Sequence, residues 1–122
     1  MLGVLLVLHG SKTQEWNEIA VQYANLLRRY FDLVEYGFIE FNSPSITEAA
    51  KTLVNKGADI IVVAPLLFAA GTHFKKDIPK QLAEIKNNVK IVIADPIGVD
   101  ERIVEILKER IEESLVKAAR GQ

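Results

Sequence analysis

Residues 4–11 read VLLVLHGS: five aliphatic residues, then a histidine, a glycine and a serine. A continuous apolar run closed by turn residues describes a strand covered on both faces, the habit of parallel sheets. The strand is predicted over 3–9, and the same pattern recurs at 59–65 (DIIVVAP) and 90–96 (KIVIADP). A fourth run, 33–41 (LVEYGFIEF), alternates more and carries Glu35, Tyr36 and Glu40, which suits a sheet edge. Between the runs lie stretches of helical period. Residues 15–30 put Trp16, Ile19, Ala20, Tyr23, Leu26 and Leu27 on one face. Residues 45–56 follow Asn42, Ser43 and Pro44 and stop at Lys56-Gly57. A third helix is predicted over 77–87, with Pro79 in its first turn. The fourth, 100–119, carries a stripe of Ile103, Ile106, Leu107, Ile111, Leu115 and Val116.

Strict alternation of strand and helix implies right-handed crossovers. The expected architecture is a doubly wound, parallel four-stranded sheet with helices on both faces. The 122 residues fit a single domain, 1–122, with 119–122 as a frayed tail. A net charge of −1 gives no global reason to expect nucleic acid or an anionic membrane as partner. With no cysteine, disulfides, thiolate nucleophiles and Cys-type zinc sites are excluded. The first apolar run is too short to span a bilayer and lacks a basic leader, so a soluble cytoplasmic protein is expected.

Ligands of open α/β sheets bind beyond the carboxyl ends of the strands, near a switch in strand order. There the chain offers His9-Gly10-Ser11, then Glu40-Phe41-Asn42-Ser43, then Gly71-Thr72-His73 on a long connection, then Asp95-Pro96. Its only two histidines both fall on this edge. A strand-end histidine is expected to be partly desolvated, which favours the neutral imidazole that accepts a proton or binds a metal. Gly10 is expected to allow a sharp turn and close approach of a ligand. Two imidazoles and a carboxylate make a plausible set of ligands for a borderline divalent metal. Bland readings stand beside these. His9 or His73 can be an ordinary polar residue, Glu40 a solvated edge residue, and PLLFAAG (65–71) a cap over the sheet. Asp95 suits the turn into Pro96, Trp16 and Tyr23 suit the core, and Lys75 and Lys76 suit a solvated helix start. No G-x-G-x-x-G and no G-x-x-x-x-G-K-[ST] is present, so neither a dinucleotide site nor a P-loop has support. The strand-end His9 has no arginine beside it, which weakens a histidine phosphatase.

Three ordered segments carry a resemblance: LLVLHGSK (5–12), FIEFNSPSITEAAKTLVNKGADIIVVAPLLFAAGTHFKKDIP (38–79) and ADPIGVD (94–100). Together they resemble the small sirohydrochlorin cobaltochelatases of the CbiX type, among the class II chelatases. The resemblance implies a flavodoxin-like sheet and ATP-independent insertion of a divalent metal into sirohydrochlorin, with cobalt serving anaerobic cobalamin synthesis. Nickel or ferrous iron is the alternative metal. It implies His9 and His73 as metal-binding, proton-accepting residues, with Glu40 as third ligand. Gly10, Ser11, Ser43 and the segment Leu67, Phe68, Ala69, Ala70, Gly71, Thr72 and His73 are then expected against the tetrapyrrole. Lys12, Lys75 or Lys76 would meet its carboxylates. No permanently bound cofactor is expected: the metal and sirohydrochlorin are substrates. Larger members hold two such domains, so a chain this short is expected to pair as a homodimer. Two other classes of protein fit the same residues: a non-catalytic metal or tetrapyrrole carrier, and an interaction module with incidental histidines.

Overall fold

The computed structural model describes residues 1–85 and 89–121, with the backbone alone at Thr72 and His73. Elements alternate in the order β1 (Leu2–Leu8), α1 (Glu15–Leu27), β2 (Leu33–Phe38), α2 (Ile46–Asn55), β3 (Ile60–Pro65), α3 (Thr72–Gln81), β4 (Lys90–Ile93) and α4 (Glu101–Ala119). The four strands form one parallel sheet, ordered β2-β1-β3-β4. β1 is central, pairing Val4 with Val34 on one side and with Val62 on the other. The alternating strand β2 is an edge, as its sequence indicates.

One face of the sheet is largely dressed, with only Ile93 at the β4 edge left substantially exposed among the described residues. Leu5 and Val7 of β1 and Ile61 and Val63 of β3 pack against Ile46, Ala49, Ala50 and Leu53 of α2 and Phe74 and Ile78 of α3. Gly37 makes the approach of α2 possible, since a Cβ there would lie 2.9 Å from the Ile46 Cα. Ser45 caps α2 by accepting from the Glu48 N–H, while Glu48 accepts from the Ser45 N–H, a reciprocal box that satisfies two orphan donors.

The other face carries α1 only. Its buried row is Ala20 and Ala24, flanked by half-buried Trp16 and Leu27, whereas Ile19, Tyr23 and Leu26 are exposed. Tyr23 is therefore not a core residue. The two alanines let the helix lie close over β1 and β2, and the face is narrower than the full apolar stripe. The correction at α4 is larger. None of its residues is buried, and Ile106, Leu107, Ile111, Leu115 and Val116 are all exposed. On the same side of the sheet, Ile60 of β3 and Val92 of β4 are also bare.

The third helix begins at Thr72 rather than Asp77 and ends at Gln81. Phe74, Ile78 and Leu82 are spaced by four and all are buried, so the apolar row starts before the expected boundary. Pro79 consequently lies inside the helix. It lacks the N–H that would bond the Lys75 carbonyl, which is tolerable two residues from the helix end. The last two residues of the predicted 77–87 helix, and Gln122 of the predicted tail, lie outside the described residues.

Candidate active site

The carboxyl edge of the sheet is laced beyond the strands themselves. Ile39 N–H donates to the Leu8 carbonyl and Glu40 N–H to the His9 carbonyl on one side of β1, at 2.9 and 3.1 Å. On the other side Leu66 N–H donates to the Val7 carbonyl at 2.8 Å. Next to it, Ile97 and Gly98 N–H donate to the Leu67 and Phe68 carbonyls at 2.9 and 3.0 Å. Strand order switches here, since the chain goes from β1 to β2 on one side and returns to β3 on the other. His9 stands at that switch, between the loop that follows β2 and the loop that follows β3.

His9 Nε2 lies 3.5 Å from Glu40 Oε1. Its Nδ1 is 3.1 Å from the Gly10 carbonyl oxygen. A carbonyl can only accept, so Nδ1 carries the hydrogen, and in the neutral ring the Nε2 lone pair is the one turned toward Glu40. Two ligand atoms about 2.1 Å from one divalent cation at a tetrahedral angle are about 3.4 Å apart. The observed separation suits a shared cation. The histidine side chain is 55% exposed and the glutamate 51%. The imidazole is thus only partly desolvated, and the direct ion pair between two such solvated groups contributes little.

Below the pair opens a cleft of about 190 Å³ lined by His9, Ile39, Glu40, Leu67, Ala69, Gly71, Phe74, Asp77 and Ile78. Pockets that swallow a drug-sized ligand are roughly 300–1,000 Å³. A cleft of this size has room for an ion and its waters, whereas a large flat molecule would have to lie across the mouth. The floor is aliphatic and aromatic, and the polar groups gather at the rim.

Of the residues singled out by sequence, His9, Glu40, Leu67, Ala69 and Gly71 share this cleft. Phe68 stands beside it, 64% exposed, and Ala70 packs into the core instead. The PLLFAAG stretch is therefore part cap and part wall. The Ser11 hydroxyl is 2.9 Å from that of Thr13 and accepts from the Thr13 N–H, shaping the turn into α1. Ser43 is exposed, and its carbonyl accepts from Asn17 Nδ2 at 3.1 Å. The Lys12 ammonium lies 5.8 Å from the centre of the Phe41 ring, and Lys75 and Lys76 are exposed on α3. The Thr72 and His73 side chains lie outside the described residues. Their backbone places both on the first turn of α3, not in a loop. Among the described residues no three His, Asp or Glu side chains converge on one point.

Gly10 turns the chain as expected: its φ is +92°, and a Cβ there would lie 2.1 Å from the Glu40 carbonyl oxygen. The glycine thus also admits the neighbouring loop. Sequence reasoning missed Ile39, Phe74, Asp77 and Ile78. The spacing of four between Phe74 and Ile78 was the available signal, hidden by the misplaced start of α3.

Known proteins resemble this chain over nearly its whole length. A sequence model of the CbiX family matches residues 3–114. The chain is 75% identical over 121 residues, 99% of its length and 100% of the relative, to a sirohydrochlorin cobaltochelatase of Sulfurisphaera tokodaii. It is 66% identical to a sirohydrochlorin cobaltochelatase of Sulfolobus acidocaldarius, over 94% of each chain. Among solved structures, the sirohydrochlorin chelatase SirB of Bacillus subtilis subspecies spizizenii, in complex with cobalt, superposes with a TM-score of 0.81 at 28% identity. That match covers 92% of this chain and 50% of SirB.

Proposed function

Since this chain belongs to the CbiX family, we propose that it inserts a divalent metal, cobalt foremost, into sirohydrochlorin without ATP. The observation that carries the reading is His9 Nε2 facing Glu40 at 3.5 Å above an apolar cleft. Insertion exchanges one M²⁺ for two pyrrole N–H protons, so the site must hold a hydrated cation and supply proton acceptors. His9 and Glu40 gather the cation, with His73 on the first turn of α3 as the second imidazole. The macrocycle lies over Leu67, Phe68 and Ala69, and Ser43 and the exposed lysines meet its periphery. As the metal passes from protein to ring, His9 Nε2 is released and takes a pyrrole proton. Both His9 and Glu40 are solvated, so protons and waters leave directly to bulk.

The reading is tested by following sirohydrochlorin absorbance under anaerobic conditions with cobalt, nickel or ferrous iron. Turnover over the protein-free rate is expected with cobalt, and His9→Ala is expected to lose about 10²-fold or more. Full rates in both folded His9→Ala and His73→Ala would remove the assignment of these residues. Stoichiometric uptake with no turnover would make the protein a carrier.

A homodimer belongs to the same proposal. A doubly wound sheet carries helices on both faces, and here only α1 occupies one of them. The rest of that face, with Ile60 and Val92, is bare, and so is the apolar row of α4. Exchange of α4 between two copies would cover both, and the match to 50% of SirB leaves that chain room for a second such unit. Leu107→Lys with Ile111→Lys is expected to convert the dimer to monomer in sedimentation. Unchanged mass would rule out this interface.

A further inference from the structure

The sequence places Asn42 on the carboxyl edge and ahead of α2 without a role of its own, yet its side chain ties together the two loops that carry His9 and Glu40. Asn42 Oδ1 accepts from the Ser11 N–H at 2.6 Å. Its Nδ2 donates to Asn17 Oδ1 at 2.8 Å and more weakly to the Thr13 carbonyl at 3.4 Å. Asn17 in turn donates from Nδ2 to the Ser43 carbonyl at 3.1 Å, so α1 is tied to the same knot. The backbone it secures is strained. Asn42 N–H donates to the Glu40 carbonyl at 2.8 Å, closing a three-residue turn over Phe41. Phe41 has φ of +68°, alone among the described non-glycine residues. A turn of this kind with positive φ is rare and costs about 1–3 kcal/mol, so it persists only where surrounding bonds hold it.

The consequence falls on Glu40. The same carbonyl that closes the turn sits against Gly10, and the Glu40 N–H bonds the His9 carbonyl. Relaxing the Phe41 turn would therefore rotate Glu40 away from His9. We infer that Asn42, braced by Asn17, is a positioning residue that sets the gap between His9 Nε2 and Glu40 and thereby the capture of the metal. Its side-chain amide is engaged by Ser11, Asn17 and Thr13 within the protein. The inference rests on the reading of His9 and Glu40 as the pair that receives the cation.

The test uses the intact protein and Co²⁺. Affinity for Co²⁺ alone is measured by competition with a chelator, and separate KM values are measured for metal and for sirohydrochlorin. Asn42→Ala, Asn17→Ala, Glu40→Gln and the double variant Asn42→Ala/Glu40→Gln are compared, with circular dichroism as the check on folding. Loss of a residue that orients a metal ligand typically weakens affinity by about 10- to 100-fold. Asn42→Ala is expected at the lower end, about tenfold, in Co²⁺ affinity and in KM for metal, with KM for sirohydrochlorin unchanged. Added to Glu40→Gln, it is expected to change neither quantity further. Equal losses in both KM values, or an additive loss in the double variant, would mark a general structural role and overturn the inference. Should Asn42→Ala not fold, Asn17→Ala decides: a smaller shift in the same direction supports the inference, and none overturns it. If Glu40→Gln and His9→Ala themselves leave Co²⁺ affinity intact, the metal-site reading fails. If they weaken it and Asn42→Ala does not, only the positioning role fails.

Discussion

The two faces of this sheet are built from equally apolar strands and finished in opposite ways. On one face α2 and α3 bury a continuous cluster from Leu53 to Ile78, and the cleft opens at its edge. On the other, α1 covers β1 and β2 with two alanines, while Ile60, Val92 and the whole of α4 stay in water. Catalytic geometry needs rigid support within a fraction of an ångström, and the site draws its floor from the finished face through Phe74 and Ile78. The bare face is the surface left over for the proposed second copy.

Breaking the finished face should have the largest effect. Leu53 is fully buried between α2 and β1. Leu53→Ala is expected to cost about 2–5 kcal/mol in denaturant unfolding. On the bare face the same truncation separates two outcomes. If α4 remains solvated, Ile111→Ala changes stability by no more than about 0.5 kcal/mol. If a second copy covers it, as proposed, the loss approaches a core value and the unfolding midpoint falls on dilution. The second outcome is expected, and a midpoint independent of concentration would leave the two faces as unequal as the single chain draws them. Gly10 probes where the finished face meets the site. Gly10→Ala is expected to lower stability by about 1–3 kcal/mol, because φ is strained for alanine and Glu40 must move. Its loss of Co²⁺ affinity should be greater than that of an exposed substitution such as Lys75→Ala.

The contrast also explains what could be read in the sequence. Strands 1, 3 and 4 were legible because their Val, Ile and Leu run on without interruption, although only β1 is buried on both faces, β3 being buried on one and β4 on neither. The edge character of β2 was legible because Glu35 and Tyr36 interrupt that pattern. The apolar stripe of α4 was legible too, but a stripe reports only that a helix wants a partner, not that the partner is its own sheet. The start of α3 was misplaced because Pro79 was given to the first turn, although Phe74, Ile78 and Leu82 form the row that faces the core. At the site, His9 and Glu40 stand out in the sequence because residue type and strand end coincide, and the fold brings them to 3.5 Å of each other. Asn42 was invisible, since its role depends on a knot spanning α1 and two loops, and on a positive φ at a phenylalanine.

The smallest effects lie at the helix caps, and they distinguish the faces by pH. On the finished face, Ser45→Ala is expected to cost about 1 kcal/mol by opening the capping box of α2. Its partner Glu48 is held below the ordinary glutamate value of 4.5, chiefly by hydrogen bonds from the Ser45 backbone and side chain. Asp100 at the start of α4 is held below the ordinary aspartate value of 3.8, first by the Arg102 side chain and then by its backbone N–H. For both groups the native pKa is depressed, so each contributes above its unfolded value and the contribution disappears as pH falls through the native one. Glu48→Gln keeps an acceptor for the Ser45 N–H but no charge to titrate. The difference between Glu48→Gln and the parent protein should therefore be greatest above pH 4.5 and shrink with acid, with α2 remaining helical because Leu53 and Ile46 hold it to the sheet. Asp100→Asn should behave alike in sign, but the helix it caps has no core of its own. In dilute protein, where α4 is undocked, acid should lower its helicity by circular dichroism. At high concentration docking on a second copy should hold it. Acid-induced loss of helix that ignores protein concentration would mean that α4 never docks, and the inequality of the two faces would then be a property of the functioning protein.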